Sequence, residues 1–406
     1  MARFKLSALV AVAAAATLAL AGCSGGGGGD TGGDAGGSDS TPIKAVVFGG
    51  LGAEGILHNN ATTSVTAAKA SVAAVNEAGG VDGRQIDLTV VDDTGDPTVA
   101  VTKLREILNG KDRPDVVLNS GPSTVSEAIT PILSQEQVLS FNIGPTATTG
   151  DPKQSPYNFD LSPSVGDYLG SIMAELESQK YENVAILHGS SSYGELFGKM
   201  AGDMAKEKGF TVTGNEGYDV AALDMTPQLE ALKRENPDVL VLDAYGAPLG
   251  YVLQGIEKLG WEVPIVGNNS VSATGLIAMT PPEGVLGTDQ VKNLTMQVFK
   301  STKFDPKNER VNTAVEQMVA AGDIKSSLIL AYNYDSMFLY KAAVESAGSF
   351  EAEAVAKALV DPKVQKEADT AMLQLYGFTA DSHTPHASPD EYLFISPGKL
   401  ENGQFQ

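Results

Sequence analysis

Pro114-Asp115-Val116-Val117-Leu118 and Pro237-Asp238-Val239-Leu240-Val241 are two versions of one phrase. Each follows a stretch of helical periodicity and opens an apolar run, the signature of a strand buried on both faces. Pro-Asp is common punctuation before strands, so the weight rests on the flanking order. Before the first copy, residues 43–48 read as a buried strand. Residues 62–77 read as a helix, with Val65, Ala68, Val72 and Val75 on one face, stopped by Gly79-Gly80. Residues 85–91 are a strand, 92–97 a loop, 98–108 a helix, and 115–118 and 138–141 two more strands. The pattern then restarts. Strands are expected at 183–188, 211–216, 238–243 and 263–267, and helices at 195–208, 225–235 and 249–259. Such alternation predicts an α/β chain with mostly parallel sheets, laid out twice as two doubly wound, Rossmann-like lobes. Ligands of open α/β sheets sit beyond the carboxyl ends of the strands, so two facing lobes form an interlobe cleft that hinge closure can seal.

The N-terminus is a separate device. Arg3 and Lys5 precede an apolar run that ends Leu20-Ala21-Gly22-Cys23. A charged start, a short apolar core and small residues at a cut site make an export signal over residues 1–22. Cys23, the one cysteine in the chain, stands where the stretch resembles the lipobox of bacterial lipoproteins. That resemblance implies a lipidated Cys23 anchored to a membrane from outside the cytoplasm. Residues 23–41 are a Gly/Ser/Asp tether with little to bury, giving a reach of roughly 20 to 25 Å by random-coil scaling. The remaining residues, about 365, suffice for two full cores. The formal net charge of −22 argues against nucleic acid and against an anionic membrane face. No second stretch is long and apolar enough to span a bilayer.

Asn76-Glu77-Ala78-Gly79-Gly80-Val81-Asp82-Gly83-Arg84, then Asp92-Asp93 with Asp96-Pro97, Ser191-Ser192-Tyr193-Gly194 and Leu259-Gly260 together resemble the type I periplasmic binding proteins. The likeness is to the leucine/isoleucine/valine-binding branch of ABC-transporter receptors. It covers residues 42–280 well and the rest loosely. It implies two lobes joined by a three-crossover hinge, no enzymatic activity, no cofactor, and a small carboxylate-bearing ligand, an amino acid or related acid or amide, handed to an ABC permease. It places one lobe at 42–160 plus about 285–355, and the other at 161–284 plus about 356–406. A receptor of the same fold feeding a signalling partner is the alternative; an exported enzyme would need a nucleophile or acid/base pair that no motif here supplies.

Candidate ligand contacts follow strand ends. Asn119-Ser120-Gly121-Pro122-Ser123-Thr124 leaves the third strand and opens a helix, where free amides make an anion site. By the resemblance Ser123 is the carboxylate-binding serine, with the Thr124 hydroxyl beside it, and Gly144 and Thr146 add an amide and a hydroxyl. Tyr193 and Tyr245 are placed to cover an apolar ligand. The family's acidic ammonium anchor is replaced by Asn269, which carries no charge; Asp243 is the acid able to substitute for it. If it does not, the ligand lacks an amino group. His58, on an exposed loop, stands near the family's contacting aromatic.

Other signals lose on context. Gly50-Leu51-Gly52-Ala53-Glu54-Gly55 fits a dinucleotide loop, but the next strand's acid, Asp92, comes too late for the fingerprint. Its glycines are expected to let the loop pass close to a ligand. His383 and His386, with Asp381 and Asp390, match no metal spacing. Asp92, Asp93 and Asp96 lack a calcium loop's terminal glutamate.

Overall fold

The computed structural model describes residues 41–406. The signal segment, Cys23 and the tether up to residue 40 lie outside the described residues. Among those described, no helix is long and apolar enough to cross a membrane.

The first lobe runs β1 (Ile43–Gly49), α1 (Gly55–Glu77), β2 (Ile86–Asp92), α2 (Pro97–Leu108), β3 (Val116–Asn119), α3 (Ser123–Gln135), β4 (Leu139–Asn142) and β5 (Asn158–Asp160). Its strands form one parallel sheet in the order β2-β1-β3-β4-β5. The chain then builds α4 (Val165–Gln179), β6 (Asn183–Gly189), α5 (Ser192–Glu207), β7 (Thr211–Tyr218), α6 (Thr226–Arg234), β8 (Val239–Leu242), α7 (Ala247–Lys258), β9 (Ile265–Gly267), α8 (Asn269–Ala273) and β10 (Leu294–Phe299). It goes back to the first lobe for α9 (Glu309–Ala321), α10 (Asn333–Ala347), α11 (Ala352–Leu359) and α12 (Pro362–Glu367), then adds β11 (Tyr392–Ile395) to the second sheet. That sheet is ordered β11-β10-β9-β8-β6-β7, and β11 alone is antiparallel. A closing hairpin pairs β12 (Leu400–Glu401) with β13 (Gln404–Phe405).

The repeated Pro-Asp phrase does the same job in each lobe. Asp115 accepts the Lys44 N–H of β1 at 2.8 Å. Asp238 accepts the N–H groups of Glu182 and Asn183, at 3.0 and 2.7 Å, where β6 begins. Each aspartate therefore satisfies a donor that the neighbouring strand leaves over at its start. The backbone donors of Asn183 and Glu182 outweigh the slight burial of Asp238 and hold its carboxyl below the usual range.

Two expectations need correction. Helix α1 begins at Gly55, not 62: its first turns have no side-chain cap, and packing recruits them, since Asn60 and Ala61 are buried. The expected return to the first lobe at about 285 leaves β10 on the wrong side, because β10 pairs with β9. Likewise Leu359, Val364, Tyr376 and Phe378, assigned from 356 onward to the second lobe, share a core with Ile43, Val47 and Phe141 of the first. The chain crosses between lobes at 161–164, 300–308 and 379–391.

Three buried carboxylates stud the first lobe. Burial pushes Asp93, Asp160 and Asp335 each up to about 6. Asp335 accepts the N–H groups of Ala371, Met372 and Leu373 and the Tyr376 hydroxyl, pinning an irregular segment to α10. Asp160 accepts from Asn142, Asn158, Thr149 and Thr384. Each group binds its proton more tightly folded than unfolded, so its contribution is full below pH ~4 and lost as pH rises through about 6. Acids such as Asp238, with lowered values, act only at lower pH. Thermal unfolding midpoints measured across pH 4.5 to 7.5 should therefore fall as pH rises. Separately, Asp238→Ala should cost about 1–2 kcal/mol by urea denaturation, the cost of orphaning strand-edge donors.

Candidate functional site

A cavity of about 360 Å³ lies between the lobes, at the carboxyl ends of both sheets, within the size range of small-molecule sites. Its first-lobe wall is the start of α3, Gly121 to Thr124, and the turn Ile143-Gly144-Pro145 after β4. Its second-lobe wall comes from Gly189 at the end of β6, Ser191 just after it, Tyr193 on α5, Asp243 and Tyr245 after β8, and Asn269 and Ser270 on α8. Leu57 of α1, Ile329 and Leu330 add apolar surface.

The α3 start is an open donor. Its N-cap is Pro122, which offers no side-chain acceptor, and no side chain caps the helix. The amides of its first turn are among those a helix leaves without internal partners. The turn after β4 fits against this helix end backbone to backbone: a Cβ on Gly144 would lie 2.9 Å from Ser123 N and 3.1 Å from Pro122 C. In the second lobe α7 also starts at the cavity, behind Gly246, with no side-chain cap. Helix α5 starts there behind Ser191, whose hydroxyl accepts from Gly194 N. Among the described residues no lysine or arginine lines the cavity. The positive ends that face it are helix N-termini.

The lobes meet directly. Ser123 Oγ of the first accepts the Tyr193 N–H of the second at 3.2 Å. Tyr193 Oη donates to Asn269 Oδ1 at 2.6 Å, so the Asn269 side chain is already engaged by protein. Burial raises the Tyr193 phenol well above its ordinary value. Tyr245 is half-buried, and burial pushes it up to about 12. Asp243 is 3% exposed. Asn268 Nδ2 donates to it at 2.8 Å, and the Gly189 N–H stands 3.5 Å away. Burial raises its carboxyl above the ordinary aspartate value.

The cavity thus gathers Ser123, Thr124, Gly144, Tyr193, Tyr245, Asp243 and Asn269. It does not include Thr146, whose Oγ1 accepts from Thr148 N and Thr149 N in its own turn. His58 is not on a loop but inside α1, with Nδ1 2.7 Å from Leu51 O; its neighbour Leu57 faces the cavity instead. The glycines of the 50–55 loop serve the β2–α2 turn rather than a ligand. Gly52 N donates to Asp92 Oδ1 at 2.8 Å, and a Cβ on Gly50 would come within 2.9 Å of Gly95 N. His383 stacks on Phe159 with ring centroids 4.0 Å apart. Among the described residues no cluster of three or more His, Cys, Asp or Glu is set to hold a metal. Sequence reasoning missed Ser162, Tyr218 and Tyr332, all cavity-lining. Ser162 follows β5 in a Ser-Pro-Ser crossover that could have been flagged, whereas Tyr332 lies in a region without motifs.

Residues 51–389 match the periplasmic binding protein family, and the chain belongs to it. It is a periplasmic binding protein, a non-enzymatic receptor by its family. It is 25% identical over 292 residues to the leucine-, isoleucine-, valine-, threonine- and alanine-binding protein of Pseudomonas aeruginosa, covering 70% of this chain and 74% of that one. Among solved structures, a periplasmic binding protein type 1 from Bordetella pertussis superposes with a TM-score of 0.73 at 20% identity, over 90% of this chain and 99% of that one. A solute-binding protein of an ABC transporter from R. palustris, in complex with 4-hydroxybenzoate, gives 0.69 at 15% identity, over 90% and 95%.

Gly144→Ala should lower the thermal midpoint by an overpacking cost of about 1–3 kcal/mol. Gly170→Ala, where an added methyl meets open space within α4, should leave it unchanged or higher; calorimetry of both variants checks this.

Proposed function

We propose that this receptor binds a small carboxylic acid without an amino group and delivers it to an ABC permease, tethered to the membrane through a lipidated Cys23. The carrying observation is the uncapped start of α3 at the cavity wall; Asn269, which by the resemblance replaces the family's acid, is bonded to Tyr193. A ligand carboxylate would take the amides of Ser123 and Thr124 with the Ser123 hydroxyl, and Gly144 would let the neighbouring turn close over it. Tyr193 and Tyr245 would sandwich the apolar body. Asp243 is buried and already accepts from Asn268 Nδ2, so its carboxyl is engaged by protein rather than held open for an ammonium. Closure follows from the ligand touching both lobes.

The curated relative's name speaks for branched-chain amino acids and the R. palustris neighbour's complex for an aromatic acid. A calorimetric and thermal-shift panel of leucine, its keto acid, benzoate and a short amide separates them. At a hundred times its dissociation constant a ligand adds about 2.7 kcal/mol. Amine-free acids should raise the midpoint and leucine should not. A shift with leucine alone would overturn this reading and make Asp243 the ammonium anchor. Ser123→Ala should weaken binding of the active acid about tenfold, a cost near 1.4 kcal/mol.

A further inference from the structure

On the hinge side of the cavity, three hydroxyls form a chain. Ser162 Oγ lies 3.0 Å from Tyr168 Oη, which lies 3.1 Å from Tyr332 Oη. Ser162 and Tyr332 line the cavity, and Tyr168 sits behind them with no exposed surface. Ser162 and Tyr332 are 2% and 3% exposed, and their hydroxyls make no other hydrogen bond to protein among the described residues.

Proton counting makes this chain incomplete. Three hydroxyls carry three protons, but two bonds between them use only two. Tyr168, enclosed in the core, has nowhere else to send its proton, so it donates within the chain. The unused donor therefore falls on Ser162 or Tyr332, and both of these face the cavity. A buried donor without a partner costs about 1–3 kcal/mol, which a ligand acceptor would relieve.

The start of α3 follows β3 and Ser162 follows β5, with β4 between them in the sheet. Two strand spacings separate the ends by about 10 Å. Hydrogen bonds of about 2.8 Å at each end leave roughly 4–5 Å between the ligand's own polar atoms. The walls between are apolar: Ile143, Leu330 and the Tyr193 ring.

We propose that Ser162, Tyr168 and Tyr332 form a second polar subsite that receives an uncharged oxygen at the end of the ligand opposite its carboxylate. The ligand class is then a hydroxy- or oxo-acid with a compact apolar body. This rests on the α3 end being the carboxylate site.

The test compares benzoate, 3-hydroxybenzoate and 4-hydroxybenzoate by isothermal titration of the purified wild-type protein and of Ser162→Ala/Tyr332→Phe. At least one hydroxybenzoate should bind the wild type about tenfold tighter than benzoate. In the double variant that ratio should collapse toward one, because it keeps the walls but removes both hydroxyl ends. Benzoate binding as tightly as both hydroxybenzoates would overturn the subsite while leaving the carboxylate reading intact. So would a double variant that weakens all three acids equally. Failure of all three acids to bind, with leucine binding, would overturn both. Should the double variant fail to fold, the wild-type ratio alone decides.

Discussion

Four aromatic rings hold the three interlobe crossings together. Tyr168 opens the second lobe on α4, Phe299 ends β10 before the chain returns to the first lobe, and Tyr392 opens β11 after the last crossing. Tyr332 stands just ahead of α10. Phe299 contacts the other three, with centroids 5.7 Å from Tyr168, 5.8 Å from Tyr332 and 4.8 Å from Tyr392. Tyr168 and Tyr392 lie 5.5 Å apart. Edge-to-face and tilted pairs of this kind add about 0.5–1.5 kcal/mol each beyond their buried area. Because each crossing contributes a ring, the lobes are tied at one place, while the strand ends beyond it remain free to face each other.

The same cluster couples hinge to cleft. The rings of Tyr168 and Tyr332 pack the crossings, and the Tyr332 hydroxyl reaches the cavity wall beside Ser162. At the other end of the cleft the lobes touch through Ser123 Oγ and Tyr193 N. A ligand spanning these points would contact crossing, first lobe and second lobe together, which is the condition for binding energy to favour one hinge position over another.

The fold was legible because it is written in local, repeated terms. Buried parallel strands are continuous apolar runs, and Asp115 and Asp238 mark corresponding edges by capping corresponding neighbours. The crossings were not legible, since nothing local distinguishes β10 as a second-lobe strand; only its pairing with β9 does. The site was half legible. Strand-end positions such as Ser123, Gly144 and Tyr193 follow from the topology of α/β sheets. Thr146 and His58 failed because one residue along a turn or helix redirects a side chain: Thr146 folds back on its own loop, and Leu57 rather than His58 faces inward. Ser162 and Tyr332 became visible only when three distant segments met.

Asp243 shows why an acid can remain in a cleft designed around helix N-termini. Its carboxyl receives Asn268 Nδ2, while Asn268 Oδ1 caps Ser270 N at the start of α8. The Asp243 N–H donates to Leu187 O and the Asn268 N–H to Leu242 O. One buried side chain thereby fastens the ends of β6, β8 and β9 to the helix that carries Asn269. That bracing needs a hydrogen-bonding carboxyl, whose pKa burial raises while the donors around it pull it back down. A cavity floor so braced holds its shape without borrowing charge from the ligand, and the surrounding helix N-termini keep their positive ends for an anion.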